Sequence, residues 1–186
     1  MYKNETPEIV YIADIGQDID DMIAVEYLHL TGLLKCMVLD GKSFDEKRVN
    51  TLKEMGVKVL DKIPEDTNII FCGGSFTKIA KFVKNHTLKL LCANGGFAGS
   101  NIVPLENQLE KFKGKKVMRT FNLNIDVNSG IEVFESKNIN HIMLISKNVC
   151  HSILNCHNGI HKDEFLNKYN LKPDKRLHDL LFVVKV

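Results

Sequence analysis

Four aspartates lie within eight residues of this chain, at Asp14, Asp18, Asp20 and Asp21. Carboxylates this close together repel one another, and a bound cation would remove that cost. Oxygen ligands at irregular spacing suit Ca²⁺ or Mg²⁺ better than zinc. An alternative is that Asp18 and Asp20 cap the helix that follows, where carboxylates are favoured. Because that alternative gives no role to Asp14, which follows an apolar run, the pattern favours a metal site.

The aspartates separate an apolar run at 9–12 from a helical pattern at 20–30, and this alternation continues along the chain. Further strands are predicted at 36–39, 68–71, 89–92 and 141–145, and further helices at 44–55, 76–83 and 129–135. This alternation of strands and helices predicts an α/β fold with a doubly wound, mostly parallel sheet flanked by helices, which is a Rossmann-like arrangement. The segment 101–119 interrupts this alternation and is predicted to be a long surface loop.

In such sheets, ligands bind beyond the carboxyl ends of the strands. The loops that follow predicted strands are therefore where functional residues are expected. The aspartates at 14–21 occupy the first of these loops. The later ones contain Gly73-Gly74-Ser75, Asn94-Gly95-Gly96 and Ser146-Lys147-Asn148.

Composition limits the function classes. The chain of 186 residues is 44% hydrophobic, which is enough for one sizeable core, and a single domain over 1–186 is expected. Lys and Arg number 25 against 23 Asp and Glu. This balance gives no overall basic field for nucleic acid or an anionic membrane. The basic run at 111–116 contains one aromatic residue, Phe112, and is predicted to be an exposed surface rather than a nucleic-acid site.

The five cysteines are scattered among apolar neighbours, which argues against a disulfide framework. They form no CxxC pair, which argues against zinc bound by cysteine. No apolar stretch approaches the roughly 20 residues of a membrane span, and the first residues lack the apolar core of a signal peptide. These features predict a cytoplasmic protein that does not use a membrane as a partner.

The aspartate segment DIGQDIDDMIA (14–24) resembles the aspartate signature of the inosine-uridine-preferring nucleoside hydrolases. Later segments are similar to further motifs of that family and follow in the family's order: FCGGSFTKIA (71–80), NGGFAGSN (94–101), TFNLNID (120–126), IMLISKNVCH (142–151) and LHDL (177–180). The ordered series covers most of the chain and is more specific than any one motif. It implies a nucleoside hydrolase-like fold and a role in purine or pyrimidine salvage.

The resemblance implies a Ca²⁺-dependent N-ribohydrolase, which cleaves the N-glycosidic bond of a nucleoside to give ribose and a free base. Asp14, Asp21 and Asp179 would ligate the Ca²⁺ ion together with the main-chain carbonyl of Cys72. Asp14 would also take a proton from the attacking water, and His178 would act as the general acid for the departing base. These roles agree with general chemistry, since a divalent cation lowers the pKa of bound water and a carboxylate can complete the deprotonation.

The resemblance also implies that Asp20, Asn101 and Asn122 hydrogen-bond the ribose hydroxyls. Carboxylate and amide groups are natural partners for hydroxyls. Each assignment has a structural alternative: the two asparagines could be turn residues, and His178 with Asp179 could be a polar pair that caps the last helix.

A second function remains open at the sequence level. The segment between Asn148 and His178 is shorter than the corresponding helical region of the family, and a more open site excludes water less well. The chain could therefore be a calcium- and ribose- or nucleoside-binding module with weak catalysis. The expected partner in both cases is a nucleoside or another ribose-containing small molecule. The sequence leaves the base and the oligomeric state open, including assembly into a homo-oligomer.

Overall fold

The computed structural model describes residues 7–16, 18–41, 44–152, 162–172 and 178–184. Within these residues, one sheet contains six parallel strands. They are β1 (Ile9–Ala13), β2 (Leu34–Leu39), β3 (Val59–Leu60), β4 (Ile69–Cys72), β5 (Leu90–Asn94) and β6 (Ile142–Ile145). The order in space is β3-β2-β1-β4-β5-β6, which is that of a doubly wound sheet. This confirms the predicted α/β fold class.

Helices cover both faces of the sheet. They are α1 (Asp20–Leu30), α2 (Glu46–Glu54), α3 (Thr77–Val83), α4 (Phe121–Ile125), α5 (Val127–Glu135), α6 (Lys147–Ser152), α7 (Lys162–Lys168) and α8 (His178–Val184). Residues of α1, α2, α7 and α8 pack in one core cluster with Tyr11 and Phe71 of the sheet. Residues of α3 and α5 pack in a second cluster with Val10 and Ile12. The alternation along β1 follows from the two-residue period of a strand.

The central strands are apolar because they are buried on both faces, as is usual in a parallel sheet. Every residue of β1 is buried. The register aligns Ile12 with Cys72 and Cys72 with Ala93, so β1, β4 and β5 end side by side. The residues that follow these strand ends therefore emerge at the same edge of the sheet.

The predicted elements agree with the observed ones to within a few residues, with some omissions. The two-residue strand β3 was missed because so short an apolar run carries no periodicity. The segment 101–119 forms short 3-10 turns at Leu105–Asn107 and Glu110–Phe112. The lysines of the basic run are exposed as predicted, but Phe112 is buried. None of the helices in the described ranges is long and apolar enough to cross a bilayer.

Candidate functional site

A cavity of about 520 Å³ opens at the carboxyl ends of β1, β4 and β5. The strand order reverses between β1 and β4, and the crevice at such a reversal is the usual ligand site of a doubly wound sheet. The described residues that line the cavity are Asp14, Gly16, Asp18, Asp20, Asp21, Gly73, Asn94, Gly95, Gly96, Thr120, Phe121, Asn122, Lys147, Cys150, His178 and Asp179. The loops after β1, β4, β5 and β6 thus all contribute to the lining.

Three carboxylates converge in this cavity and are here called the acidic triad: Asp20, Asp21 and Asp179. Each offers an oxygen atom, and these atoms all lie within 4.8 Å of one another. The three residues are only 5–6% exposed. Asp20 and Asp21 begin α1, and Asp179 is the second residue of α8. Because α8 packs against α1 and β5, it brings Asp179 to the other two carboxylates.

Neutral donors hold two members of the acidic triad. The hydroxyl of Tyr11, which is fully buried in β1, donates a hydrogen bond to Asp21 Oδ1 over 3.1 Å. The side-chain amide of Asn94, at the end of β5, donates to Asp179 Oδ1 over 2.7 Å. These donors orient the carboxylates without neutralising their charge. Such an outer layer is typical of residues that ligate a metal.

Gly73, directly after β4, makes room for the acidic triad. A Cβ atom at this position would lie 2.3 Å from Asp21 Oδ1, 2.6 Å from the Tyr11 hydroxyl and 3.1 Å from Asp179 Oδ1. Real Cβ atoms do not approach other atoms as closely as the first two of these distances. The glycine in the turn after β4 is therefore required by the close approach of these side chains.

Burial raises the pKa of Asp21 well above its usual range, and repulsion from Asp179 and Asp20 raises it further. Burial likewise raises the pKa of Asp179, and repulsion from Asp20 adds to the effect. A cation among the three carboxylates would oppose both causes. Buried carboxylate oxygens suit a hard divalent cation such as Ca²⁺ or Mg²⁺. The residues present therefore fit such an ion.

Asp14 lines the same cavity and lies outside the acidic triad. Its Oδ1 accepts a hydrogen bond from the Gly16 amide over 3.1 Å. The charge of Asp14 contributes to the raised pKa values of both Asp21 and Asp179, because it lies near them. Asp18 is exposed at the edge of the cavity. The N-cap residue of α1 is Ile19, so neither Asp18 nor Asp20 occupies the capping position considered above.

The structure places the other predicted site residues as follows. Asn122 and His178 line the cavity with the acidic triad. Asn122 Nδ2 donates to the main-chain oxygen of Asn94 over 2.9 Å. Cys72 is buried at the end of β4, immediately before Gly73, and does not belong to the described lining. Asn101 is exposed and also lies outside that lining.

A line of aromatic rings extends from His178. Its ring centroid lies 5.4 Å from that of His151, and His151 lies 5.3 Å from Phe112. Phe112 in turn lies 5.3 Å from Phe97, and each pair meets edge to face. Lys111 Nζ is 3.1 Å from His151 Nδ1. The first of these contacts packs His178 against α6 at the cavity, and the others account for the burial of Phe112 within a basic run.

Sequence reasoning gave no role to Asn94, Tyr11 or Cys150. The Cys150 thiol lies 3.7 Å from Asn94 Oδ1, and burial raises its pKa to about 11. Asn94 carried a usable signal, because an amide that ends an apolar strand lies at the edge where ligands bind. Tyr11 carried none, since it stands within an apolar run, and Cys150 carried none, since cysteine is among the residue types most often buried in cores.

Comparison of the chain with models of protein families, with curated proteins and with solved structures gave no match.

Proposed function

We propose that this chain is a Ca²⁺-dependent N-ribohydrolase that converts a nucleoside and water to ribose and a free base. The observation that carries the proposal is the meeting of the acidic triad, Asp14, Asn122 and His178 in one cavity. These residues come from the motifs that resemble the nucleoside hydrolases. Their common location gives the resemblance a physical basis.

In this proposal, Asp20, Asp21 and Asp179 hold the metal. The resemblance to the nucleoside hydrolases implies instead that Asp14 is a ligand and that Asp20 contacts the sugar. The geometry favours Asp20 as the third carboxylate, because its oxygen lies within 4.8 Å of those of both Asp21 and Asp179. Asp14, which lies beside the triad, is then available for proton transfer. The bound ion would offset the charge of the triad and lower the pKa of a water molecule.

The chain's own residues would perform the remaining chemistry. The water oxygen forms a bond to the anomeric carbon of the sugar, and Asp14 takes a proton from this water. The C–N bond breaks, its electron pair leaves with the base, and His178 donates a proton to the base. Asn122 offers a side-chain oxygen to a ribose hydroxyl. Contacts to the hydroxyls that strengthen in the transition state would favour an oxocarbenium-like ribosyl group.

Base release tests this proposal directly. Inosine, uridine, adenosine, guanosine and cytidine would each be incubated with the protein and Ca²⁺, and free base would be measured by chromatography. At least one nucleoside should release base, and both chelation of Ca²⁺ and the change Asp21→Asn should suppress the release. Asp66→Asn serves as a control, because Asp66 is an exposed carboxylate paired with Lys35 away from the cavity. If all five nucleosides give only the buffer background, hydrolysis is excluded.

The second candidate is a module that binds Ca²⁺ and a nucleoside without turning it over. The exposed position of Asn101, outside the described lining, favours this candidate, because the cavity then offers the sugar one polar partner fewer than the resemblance implies for catalysis. Calorimetry with Ca²⁺ and a nucleoside would then show binding where chromatography shows no base. A cytoplasmic location belongs to both candidates and is supported by the described cysteines, which are all buried as free thiols: Cys36, Cys72, Cys92 and Cys150.

A further inference from the structure

Arg48, on α2, hydrogen-bonds the main chain of the aspartate loop, defined here as the described residues 14–16, 18 and 19. Its Nη1 donates to the carbonyl oxygen of Gly16 over 2.6 Å and to that of Asp18 over 2.7 Å. One nitrogen of the guanidinium group therefore binds two carbonyl oxygens of this loop. Arginine stays charged at all ordinary pH values and presents its donors in a fixed plane.

The aspartate loop contains a backbone conformation that its sequence does not favour. Ile15 has φ of 43°, in the left-handed region, although it is β-branched. This conformation is unfavourable for such a residue, and it persists only where surrounding contacts enforce it. The Ile15 side chain is fully buried, and its carbonyl oxygen accepts a hydrogen bond from the Asp45 amide over 2.9 Å. Asp45 is the N-cap residue of α2.

The start of α2 thus binds three carbonyl groups of the loop. Asp45 binds the carbonyl of Ile15, and Arg48 binds those of Gly16 and Asp18. Asp45 also fixes Arg48, because its Oδ2 lies 3.6 Å from Arg48 Nε. The strained residue directly follows Asp14. The direction in which Asp14 leaves β1 therefore depends on these contacts.

We infer that Arg48 is a positioning residue, which holds the aspartate loop so that Asp14 lies beside the acidic triad. Its catalytic consequence rests on the proposed function, but its effect on the loop does not. Arg48 lies outside the described lining of the cavity and acts through the main chain. Val49 and Leu52 anchor α2 in the core, so the helix keeps its packing when the guanidinium group is removed.

The test compares Arg48→Met and Arg48→Lys with Lys47→Met, an exposed control on the same helix. For Arg48→Met, kcat should fall by about tenfold or more, because a small displacement of a catalytic group is costly. KM should change by less than about threefold. Arg48→Lys keeps the charge and should recover part of kcat. Lys47→Met should behave as the unmodified protein. If Arg48 only stabilised the fold, Arg48→Met would have a lower Tm but an unchanged kcat at a temperature where the variant is folded.

Hydrogen exchange tests the role of Arg48 in a way that does not depend on turnover. The Gly16 amide donates to Asp14 and the Asp45 amide to Ile15, so both amides report on the loop. In Arg48→Met both should exchange at least about tenfold faster, while amides of the central strand β1 keep their rate. If the unmodified protein releases no base, the proposed function fails and the exchange result alone decides the role of Arg48. Unchanged exchange at both amides would overturn the inference, as would an unchanged kcat in an active protein.

Discussion

Gly73 lies where the candidate site leaves no room for a side chain. In Gly73→Ala, the new Cβ would meet Asp21 Oδ1 at 2.3 Å and the Tyr11 hydroxyl at 2.6 Å, so the acidic triad must open. We expect the Kd for Ca²⁺ to rise by at least about tenfold, as for loss of an outer-layer contact. Calorimetric titration would measure it.

Gly130→Ala is the matched control for this change. A Cβ at Gly130 would have its nearest neighbour at 3.9 Å, and the residue lies inside α5. Alanine is favoured over glycine by about 1 kcal/mol in a helix interior, so Tm should be kept or raised. Equal Ca²⁺ affinity in the two variants would contradict the requirement for glycine at position 73.

The four clustered aspartates should separate into three kinds. Asp20→Asn and Asp21→Asn should each raise the Kd for Ca²⁺ by at least about tenfold, because each removes a charged ligand. Asp14→Asn should instead lower kcat by about 100-fold and leave Kd within about threefold, since it removes the proposed general base. Asp18→Asn should alter neither by more than about twofold, because Asp18 is exposed. If Asp14→Asn abolishes Ca²⁺ binding and Asp20→Asn spares it, the assignment from sequence resemblance is the right one.

The clustered aspartates show which features of the site can be predicted from the sequence. The density of carboxylates after an apolar run was enough to predict the position of the acidic site, because that position depends on the local order of strand, loop and helix. Which carboxylates converge depends on how the loop folds. That folding is set by Arg48 and by the strained Ile15, and neither residue type signals it in sequence.

At the scale of elements, Asp126 joins two helices on the face opposite α1. Its Oδ2 accepts hydrogen bonds from the hydroxyls of Ser129 and Thr77, each over 2.7 Å, and its Oδ1 accepts from the Ser129 amide at the start of α5. These hydrogen bonds lower the pKa of Asp126, and the one from the Ser129 hydroxyl has the largest effect. Thr77 begins α3, so one carboxylate links α3 to α5.

A lowered pKa in the folded state fixes the sign of the pH dependence. The stability that Asp126 contributes is present above its unfolded pKa of about 3.9 and is lost as pH falls through its lower folded pKa. Asp126→Asn should therefore have a lower Tm than the unmodified protein at pH 7. The difference should shrink below about pH 4. Thermal unfolding across this range measures it, and a difference that stays constant with pH would exclude the charged hydrogen bonds as its source.

The elements themselves were predictable in proportion to their length and burial. β1, α1, β2 and β4 are long or largely apolar, and their positions follow from the alternation of apolar runs with helical segments along the chain. The short helices α4 and α6 carry too few residues for a 3.6-residue pattern to be recognised. They nevertheless carry Asn122 and Lys147 to the cavity, so the site depends on elements that periodicity does not reveal.

At the scale of the whole molecule, the reversal of strand order between β1 and β4 explains why the site is where it is. Helices that follow β1 and β4 cover opposite faces of the sheet, which leaves a crevice between their connections. The alternation of strands and helices predicts this crevice. It does not predict that α8 returns Asp179 to it, because that contact joins distant parts of the chain. Only the resemblance to a family suggested the pairing.

In the proposed function, calcium should stabilise the entire fold, because the carboxylates that would hold it join α1 to α8. A ligand that binds only the folded state adds about 2.7 kcal/mol at a concentration of 100 times Kd. For a domain of this size, that corresponds to a rise in Tm of roughly 5–10 °C. We expect this rise in thermal unfolding with Ca²⁺, and we expect Asp179→Asn to abolish it. Asp66→Asn, away from the cavity, should retain it.

The comparison of cations makes this experiment decisive for the metal. Mg²⁺ demands a smaller, near-ideal octahedral shell and gives up its water reluctantly, whereas Ca²⁺ accepts flexible arrangements of oxygen ligands. At equal concentration, Ca²⁺ should therefore raise Tm more than Mg²⁺. A greater rise with Mg²⁺ would reassign the ion and keep the acidic triad as its site. If neither ion raises Tm, and the Asp179→Asn variant has the same Tm as the unmodified protein with each ion, the three buried carboxylates do not hold a metal. That result would remove the basis of the proposed hydrolysis.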